Sequence, residues 1–188
     1  VDSVELEPAI LDVAKILAPA NAAVMENKKV HHLIRDAREV LLATPQRYDV
    51  IMSEPSNPYR AGIASMFTVE YYRAAAQRLN EGGVFCQWLQ AYEVDPRTVA
   101  TVYATLTSVF PHVETWELCP FDMLLVASKT PIPYDAARLR DRLKQEPYRE
   151  AVLKAWRTTE LEGVLGHYVA GPQLSRAFAR AARGELNT

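Results

Sequence analysis

YDVIMSEPSNPYRAGIASMF, residues 48–67, is the stretch that decides the fold of this chain. Its first five residues, 48–52, predict a buried strand, and Pro55 and Pro58 follow directly afterwards. The two prolines fix two φ angles and remove two backbone donors, so the loop is stiff. Open α/β sheets bind ligands at loops that follow the carboxyl ends of buried strands. Glu54 is therefore a candidate to orient a substrate or accept its proton. The alternative is an ordinary loop whose acid is solvated or caps the next helix.

Strand and helix patterns alternate on both sides of this loop. Short apolar runs predict strands at 1–6, 30–34, 48–52 and 84–89. Apolar residues at helical spacing predict helices at 9–17, 37–43, 65–79 and 96–109, with a Gly-rich turn at 80–83. The runs 113–118 and 123–127 predict a closing antiparallel pair. Strands separated by helices indicate an α/β fold with a mostly parallel sheet and helices on both faces.

The character of the sequence changes at residue 130. Pro131 and Pro133 predict a linker, and the remainder predicts charged helices at 135–145, 148–156, 159–165 and 172–182. We therefore expect a sheet domain at 1–129 and a helical C-terminal extension at 130–188.

Composition excludes several classes of function. The 188 residues are 49% hydrophobic and 23% charged, with a formal net charge of −2, which is typical of a globular domain and gives no support for nucleic-acid binding. No apolar run approaches the roughly 18 residues that a membrane crossing needs. Cys86 and Cys119 lie near strand-like runs and are expected to be reduced, buried thiols. Without CxxC or HxxxH spacing we expect no metal site.

Acidic residues recur at the ends of three successive predicted strands. Glu5 and Glu7 end the first, Asp36 follows the second and Glu54 follows the third. Such acids often cap helices, and one alone would say little. In nucleotide-binding folds an acid after the second strand accepts hydrogen bonds from ribose hydroxyls, and an acid after the next strand can accept one from an adenine amino group. Three in register predict a nucleoside pocket.

Four segments carry a resemblance to a known family: VELEP at 4–8, IRDAREVL at 34–41, YDVIMSEPSNP at 48–58 and FTVEYYRAAAQRLNEGGVFCQWL at 67–89. Over residues 1 to about 128 the chain resembles the spermidine/spermine synthases, or polyamine aminopropyltransferases. It is most similar to a bacterial spermidine-synthase-like branch whose members are often fused to a membrane segment. The resemblance implies a Rossmann-like class I methyltransferase fold with an antiparallel last strand.

The resemblance also implies a reaction. It is aminopropyl transfer from decarboxylated S-adenosylmethionine to a putrescine-like amine in polyamine biosynthesis, with no prosthetic group. S-adenosylmethionine is the alternative co-substrate. The implied location is the cytoplasm, at the cytoplasmic face of the membrane where the parent protein is fused to a membrane segment.

Site residues carry over from the family one by one. Glu5 matches the acid that binds the ribose hydroxyls, and Asp36, followed by Ala37, matches the adenine-binding acid. Glu54 takes the position of the catalytic Asp. Asn57 takes that of a second Asp, which implies a substrate-binding role.

Gln87 matches a glutamine after the fourth strand, near the active site, and so implies a second substrate-binding residue.

Two departures set this chain apart from the family. Asn57 lacks the charge that would hold a diammonium substrate, and the first strand with its Gly-rich loop is missing before Glu5. We therefore expect a piece of a longer protein that is inactive by itself.

The missing strand would lie between the strands that end at Glu5 and Glu54. Since unpaired strand edges invite pairing, we predict either direct closure of the gap or dimerisation through it, and hence a homo-oligomer.

Two other functions stay open. One is a methyltransferase-like enzyme acting on a less cationic nucleophile, which the neutral Asn57 favours. The other is a non-catalytic binding domain of a membrane-associated protein, against which the acids Glu5, Asp36 and Glu54 argue. Four aromatic residues near the loop either line a pocket for an alkyl amine or belong to the core: Tyr59, Phe67, Trp88 and Tyr92.

Overall fold

The computed structural model describes residues 1–188, which divide into two compact units, 1–46 and 47–188. The N-terminal unit contains β1 (Asp2–Glu5), α1 (Pro8–Ile16), a 3₁₀ turn (Val24–Glu26), β2 (His31–Ile34) and α2 (Ala37–Ala43). β1 and β2 form a two-stranded parallel sheet in which Glu5 is opposite Ile34.

Both helices of this unit begin at an acidic residue that follows a strand. The Glu7 carboxylate accepts a hydrogen bond from the backbone N of Ala9, and Pro8 occupies the first turn. The Asp36 carboxylate accepts one from the backbone N of Arg38. These bonds satisfy amide groups that the helix itself leaves unpaired.

The C-terminal unit is built around a five-stranded sheet. Its elements are β3 (Tyr48–Ser53), a 3₁₀ turn (Ile63–Phe67), α3 (Val69–Arg78), β4 (Leu79–Gln90), α4 (Pro96–Thr107), β5 (His112–Cys119), β6 (Asp122–Ser128), α5 (Ala136–Leu143), α6 (Tyr148–Trp156), α7 (Leu161–Leu165), β7 (Tyr168–Ala170) and α8 (Pro172–Arg180). The strand order is β3-β4-β6-β5-β7. β3 and β4, which are joined through α3, pair in parallel, and the other neighbours are antiparallel.

The core of this unit lies between one face of the sheet and helices α3, α4 and α8. Phe85 of β4 is fully buried, stacks on Phe110 at 5.7 Å between ring centroids, and meets the rings of Tyr71 and Tyr72 edge-on. On β5, Thr115 shares a 2.6 Å hydrogen bond with a tyrosine hydroxyl of α4. This hydrogen bond satisfies two of the polar groups that are buried in the core.

The predicted order of strands and helices is confirmed, with three local differences. The helix expected at 65–79 is divided at Thr68, whose hydroxyl accepts from the backbone N of Tyr71 and so starts α3 there. The turn expected at 80–83 is a bulge inside β4, where Gly82 has a φ of +72°. The three-residue strand β7 was not predicted, because so short a run has no measurable period.

The C-terminal segment is more than a set of helices. β7 pairs with β5, and α8 packs against α4 and β5. The segment 130–188 therefore contributes a strand to the sheet and a helix to the core. No helix in the chain combines the length and the apolar character that a membrane crossing requires.

One expectation is wrong, and another is answered only in part. β1 and β2 pair with each other and β3 is an edge strand of the five-stranded sheet, so no strand pairing within the chain gives the direct closure, and the alternative of dimerisation stays a prediction. Val50 and Met52 on β3 are accordingly more than half exposed. Cys119 is exposed, since it lies at the turn between β5 and β6 and contacts Asp122, whereas Cys86 is buried as expected.

The burial of Phe85 leads to a prediction of stability. Phe85→Ala should lower the free energy of unfolding by about 3–5 kcal/mol, because it removes a fully buried ring and leaves a cavity. The matched control is Phe121→Ala, in a turn where the ring is 66% exposed, which should change it by less than about 0.5 kcal/mol. Urea unfolding followed by circular dichroism measures both values. Equal losses in the two variants would contradict this description of the core.

Candidate functional site

The carboxylate of Glu5 lies at the carboxyl end of β1. It is partly buried, and its Oε1 accepts a hydrogen bond of 2.9 Å from the backbone N of Glu7. This bond fixes the carboxylate to the loop while its second oxygen keeps its capacity to accept. Glu5 is thus fixed at the carboxyl end of β1, and its predicted role in binding ribose hydroxyls stays a prediction.

Asp36 lies at the same edge of the two-stranded sheet, two residues beyond the end of β2. Its carboxylate accepts hydrogen bonds from the backbone N and the side-chain Nε of Arg38, at 2.9 and 3.1 Å, and the two form an ion pair. The side-chain hydrogen bonds from Arg38 lower the pKa of the Asp36 carboxyl below its ordinary value. Ala37 is the first residue of α2 and adds no polar group.

In the C-terminal unit, strand pairing and a side-chain hydrogen bond join the carboxyl ends of β3 and β4. Ser53 is opposite Gln87, and its hydroxyl accepts a 3.1 Å hydrogen bond from Tyr71 of α3. The Gln87 Nε2 donates to the carbonyl of Ser53 at 3.4 Å and to that of Trp88 at 3.2 Å. The side chain of Gln87 is fully buried and its Oε1 has no hydrogen-bond partner. A buried acceptor without a donor is costly. Because the side chain is fully buried, the predicted role of Gln87 in substrate binding stays a prediction.

Glu54 follows β3 immediately and differs from the other acids. It is exposed, and no hydrogen bond or ion pair engages its carboxylate. The residues around it are held: Pro55 and Pro58 are buried. The structure thus presents one free carboxylate on a stiff loop at the end of a strand.

Asn57 is buried rather than open to a substrate. Its Nδ2 donates to the hydroxyl of Tyr59, and its carbonyl accepts from the backbone N of Arg60 at 3.1 Å. The turn continues to Gly62, whose φ of +83° disfavours any residue with a Cβ. Asn57 therefore braces the loop, and its predicted role in substrate binding stays a prediction.

A cavity of about 410 Å³ adjoins this loop. Pro58 and Tyr59 line one side, Phe67 lies beside them, and the first turns of α4 and the C-terminal segment complete the wall. Tyr59 lines the cavity with an exposed side chain, whereas Phe67, which also borders it, is only 1% exposed and belongs to the buried core. Trp88 and Tyr92 do not line the cavity.

The six predicted site residues divide between the two units. Glu5, Asp36 and Ala37 belong to the first, and Glu54, Asn57 and Gln87 to the second. Sequence reasoning missed Arg97 and Glu185 of the cavity wall. The N-cap at Asp95 placed Arg97 in the first turn of a helix, but no local pattern relates it to a residue 88 positions away.

The Asp36–Arg38 pair makes a pH-dependent prediction. Because the native pKa of Asp36 is lowered, the pair stabilises the fold above about pH 4, and the contribution is lost as the pH falls through the native pKa. Arg38→Gln should raise that pKa toward the ordinary value, which a carbon-13 titration of the carboxyl measures. Arg35→Gln, which changes a neighbouring arginine, should leave it nearly unchanged. A native Asp36 pKa that does not respond to Arg38→Gln contradicts the assignment.

Comparison with known proteins identifies the family and the fold. A family model described as Spermine/spermidine synthase domain matches residues 1–121. The polyamine aminopropyltransferase of Methanocaldococcus jannaschii is 27% identical over 153 residues, which cover 77% of this chain and 52% of that protein. The chain thus spans about half the length of this relative.

Solved structures share the fold. Spermidine synthase from Thermotoga maritima superposes with a TM-score of 0.71 at 18% identity, over 96% of this chain and 60% of that one. Human methyltransferase-like protein 13, solved in complex with SAH, gives 0.57 at 19% identity, over 84% and 69%. These similarities confirm the predicted α/β fold. Since the family model covers well over half of its residues, this chain belongs to the spermine/spermidine synthase family.

Proposed function

We propose that the protein transfers an aminopropyl group from decarboxylated S-adenosylmethionine to an amine. Membership of the family supports the reaction type. The observation that carries the proposal is the Glu54 carboxylate, which is free and exposed on a braced loop at the end of β3. A group in that position can hold an amine and take its proton.

In this reaction the protein itself forms no covalent bond to the substrates. The lone pair of the amine nitrogen attacks the propyl carbon bound to the sulfonium sulfur, so that a C–N bond forms and a C–S bond breaks. The electron pair of the broken bond goes to sulfur and leaves methylthioadenosine as a neutral thioether. The nitrogen then loses one proton, to Glu54 or through it to water. Alignment and an unprotonated nucleophile are the main requirements.

The nucleoside is the proposed ligand of the N-terminal unit. The Glu5 carboxylate retains an oxygen to accept from ribose hydroxyls, and Asp36 is kept ionised by Arg38 and can accept from the adenine amino group. In this proposal the backbone of Ala37 lies beside the adenine base. In the C-terminal unit, the unpartnered Oε1 of Gln87 is the proposed acceptor for an N–H of the amine.

A methyltransferase-like reaction is the second candidate. The observation that favours it is Asn57, which is neutral, buried and bonded to Tyr59, so the loop offers only Glu54 as a carboxylate. The two reactions differ in their donor. The first uses decarboxylated S-adenosylmethionine and the second S-adenosylmethionine, so an assay with both donors separates them.

The test is Glu54→Gln in the full-length protein. With decarboxylated S-adenosylmethionine and an amine, kcat should fall about a hundredfold or more, because the proton acceptor is lost. Binding of methylthioadenosine should stay unchanged, since Glu54 is not assigned to the nucleoside. The matched control is Glu81→Gln, at an exposed position in the bulge of β4, which should keep wild-type kcat.

Two outcomes would contradict the proposal. One is release of methylthioadenosine at an unchanged rate by Glu54→Gln. The other is a reaction with S-adenosylmethionine but not with decarboxylated S-adenosylmethionine, which would favour the methyltransferase-like reaction.

A further inference from the structure

We propose that Tyr71 is a positioning residue for the transfer reaction, because its hydroxyl group, acting through Ser53, fixes where the Glu54 carboxylate lies. Tyr71 itself touches neither the amine nor the nucleoside. The inference rests on the proposed aminopropyl transfer and deepens it, since it names the side chain that holds the proton acceptor in place. The bonds formed and broken are those described above.

Ser53 is the residue through which Tyr71 acts. It is the last residue of β3 and directly precedes Glu54 in the chain. Ser53 is 2% exposed, and its hydroxyl oxygen accepts the 3.1 Å hydrogen bond from the Tyr71 hydroxyl. Its carbonyl, which belongs to the peptide bond leading into Glu54, accepts from Nε2 of Gln87 at 3.4 Å. Both the side chain and the carbonyl of Ser53 are therefore held by hydrogen bonds.

Pro55 restricts Glu54 from the other side. The residue before a proline is restricted mainly to extended backbone conformations, because the proline ring clashes with the helical ones. Pro55 is also buried, whereas Glu54 is exposed. The backbone of Glu54 thus lies between two held residues, and a shift of Ser53 would move the exposed carboxylate with it.

Tyr71 is itself firmly held. It lies in the first turn of α3, where its backbone N donates to the hydroxyl of the N-cap residue Thr68 at 3.2 Å. Its ring is buried and meets the ring of Phe85 edge-on, with 6.1 Å between the centroids. The hydroxyl therefore extends from a side chain whose position is set by the helix and by β4. A donor fixed in this way can keep a catalytic group within the tolerance of about 0.5 Å that such groups require.

Two other buried tyrosines offer a comparison. Tyr72, the next residue, is fully buried, and its hydroxyl has no hydrogen-bond partner. Tyr103 of α4 shares a 2.6 Å hydrogen bond with the hydroxyl of Thr115 on β5, a strand separated from β3 by two others. Tyr103→Phe therefore removes a bond of the same kind, between a helix and the sheet, that has no connection to Glu54.

The experiment is Tyr71→Phe in the full-length protein, assayed with decarboxylated S-adenosylmethionine and 1,4-diaminobutane. The variant keeps the buried ring and removes only the hydroxyl, so kcat should fall about tenfold while the affinity for methylthioadenosine stays unchanged. This factor lies between no effect and the roughly hundredfold cost of a misplacement of about 1 Å. The matched control, Tyr103→Phe, should lower the urea midpoint of unfolding by a similar amount and keep wild-type kcat.

A double-mutant cycle tests whether Tyr71 acts through Glu54. In the Glu54→Gln background, Tyr71→Phe should lower the single-turnover rate by less than about twofold, because the group that it positions is already gone. A merely structural loss would lower the rate by the same factor in both backgrounds. Combining Tyr71→Phe with Ser53→Ala should lower kcat no further than either change alone, since both remove one hydrogen bond.

Hydrogen exchange of the backbone amides in residues 53–57 gives a readout that does not depend on turnover. Exchange in this segment should be faster in Tyr71→Phe than in the wild type, because the hydrogen bond that holds Ser53 is lost. It should be unchanged in Tyr103→Phe.

The outcomes distinguish this inference from the proposed reaction. If Tyr71→Phe keeps wild-type kcat while Glu54→Gln loses it, the inference is overturned and aminopropyl transfer stands. The same conclusion follows if Tyr71→Phe costs the same factor in both backgrounds, or if exchange is equal in the wild type and Tyr71→Phe. If Glu54→Gln keeps the wild-type rate, the proposed function and this inference are both overturned.

Discussion

The parallel pairing of β3 with β4 is the constraint on which the rest of the C-terminal unit depends. It sets Ser53 opposite Gln87, and so decides where the chain leaves the sheet and where Glu54 begins the loop. The buried ring of Phe85, two residues before Gln87, packs the same strand against α3. A one-residue slip would move these side chains to the other face of the sheet. Core packing and the placement of the candidate site therefore have one origin.

Two polar residues of the loop after β3, Asn57 and Glu54, differ in burial and in hydrogen bonding. Asn57 is buried and bonded to Tyr59, so it holds the shape of the loop, whereas Glu54 is exposed and unbonded and so remains free for chemistry.

Local signals predicted most of the fold. Apolar runs and N-caps such as Asp36 and Asp95 marked the strands and helices because each depends on a few adjacent residues. They also identified Glu5, Asp36 and Glu54 as acids at strand ends, and the structure places them there. The roles of these acids are carried by resemblance and remain predictions.

What the sequence did not predict depends on distant contacts. β7 is three residues long, and its pairing with β5 depends on tertiary contacts rather than on a pattern. Arg97 and Glu185 are brought together by the fold of the whole unit. The bracing role of Asn57 was missed because its bond to Tyr59 depends on the turn between them, which composition alone does not define.

The central claim is that this chain holds a nucleoside through Asp36. The most direct test is calorimetric titration of the full-length protein with methylthioadenosine, beside Asp36→Ala and a matched control, Asp135→Ala, which removes the N-cap of α5. We predict binding by the wild type and by Asp135→Ala, and an affinity at least about tenfold weaker in Asp36→Ala, as loss of a hydrogen bond to a charged group implies. No binding by the wild type, or equal binding by Asp36→Ala, would contradict the account.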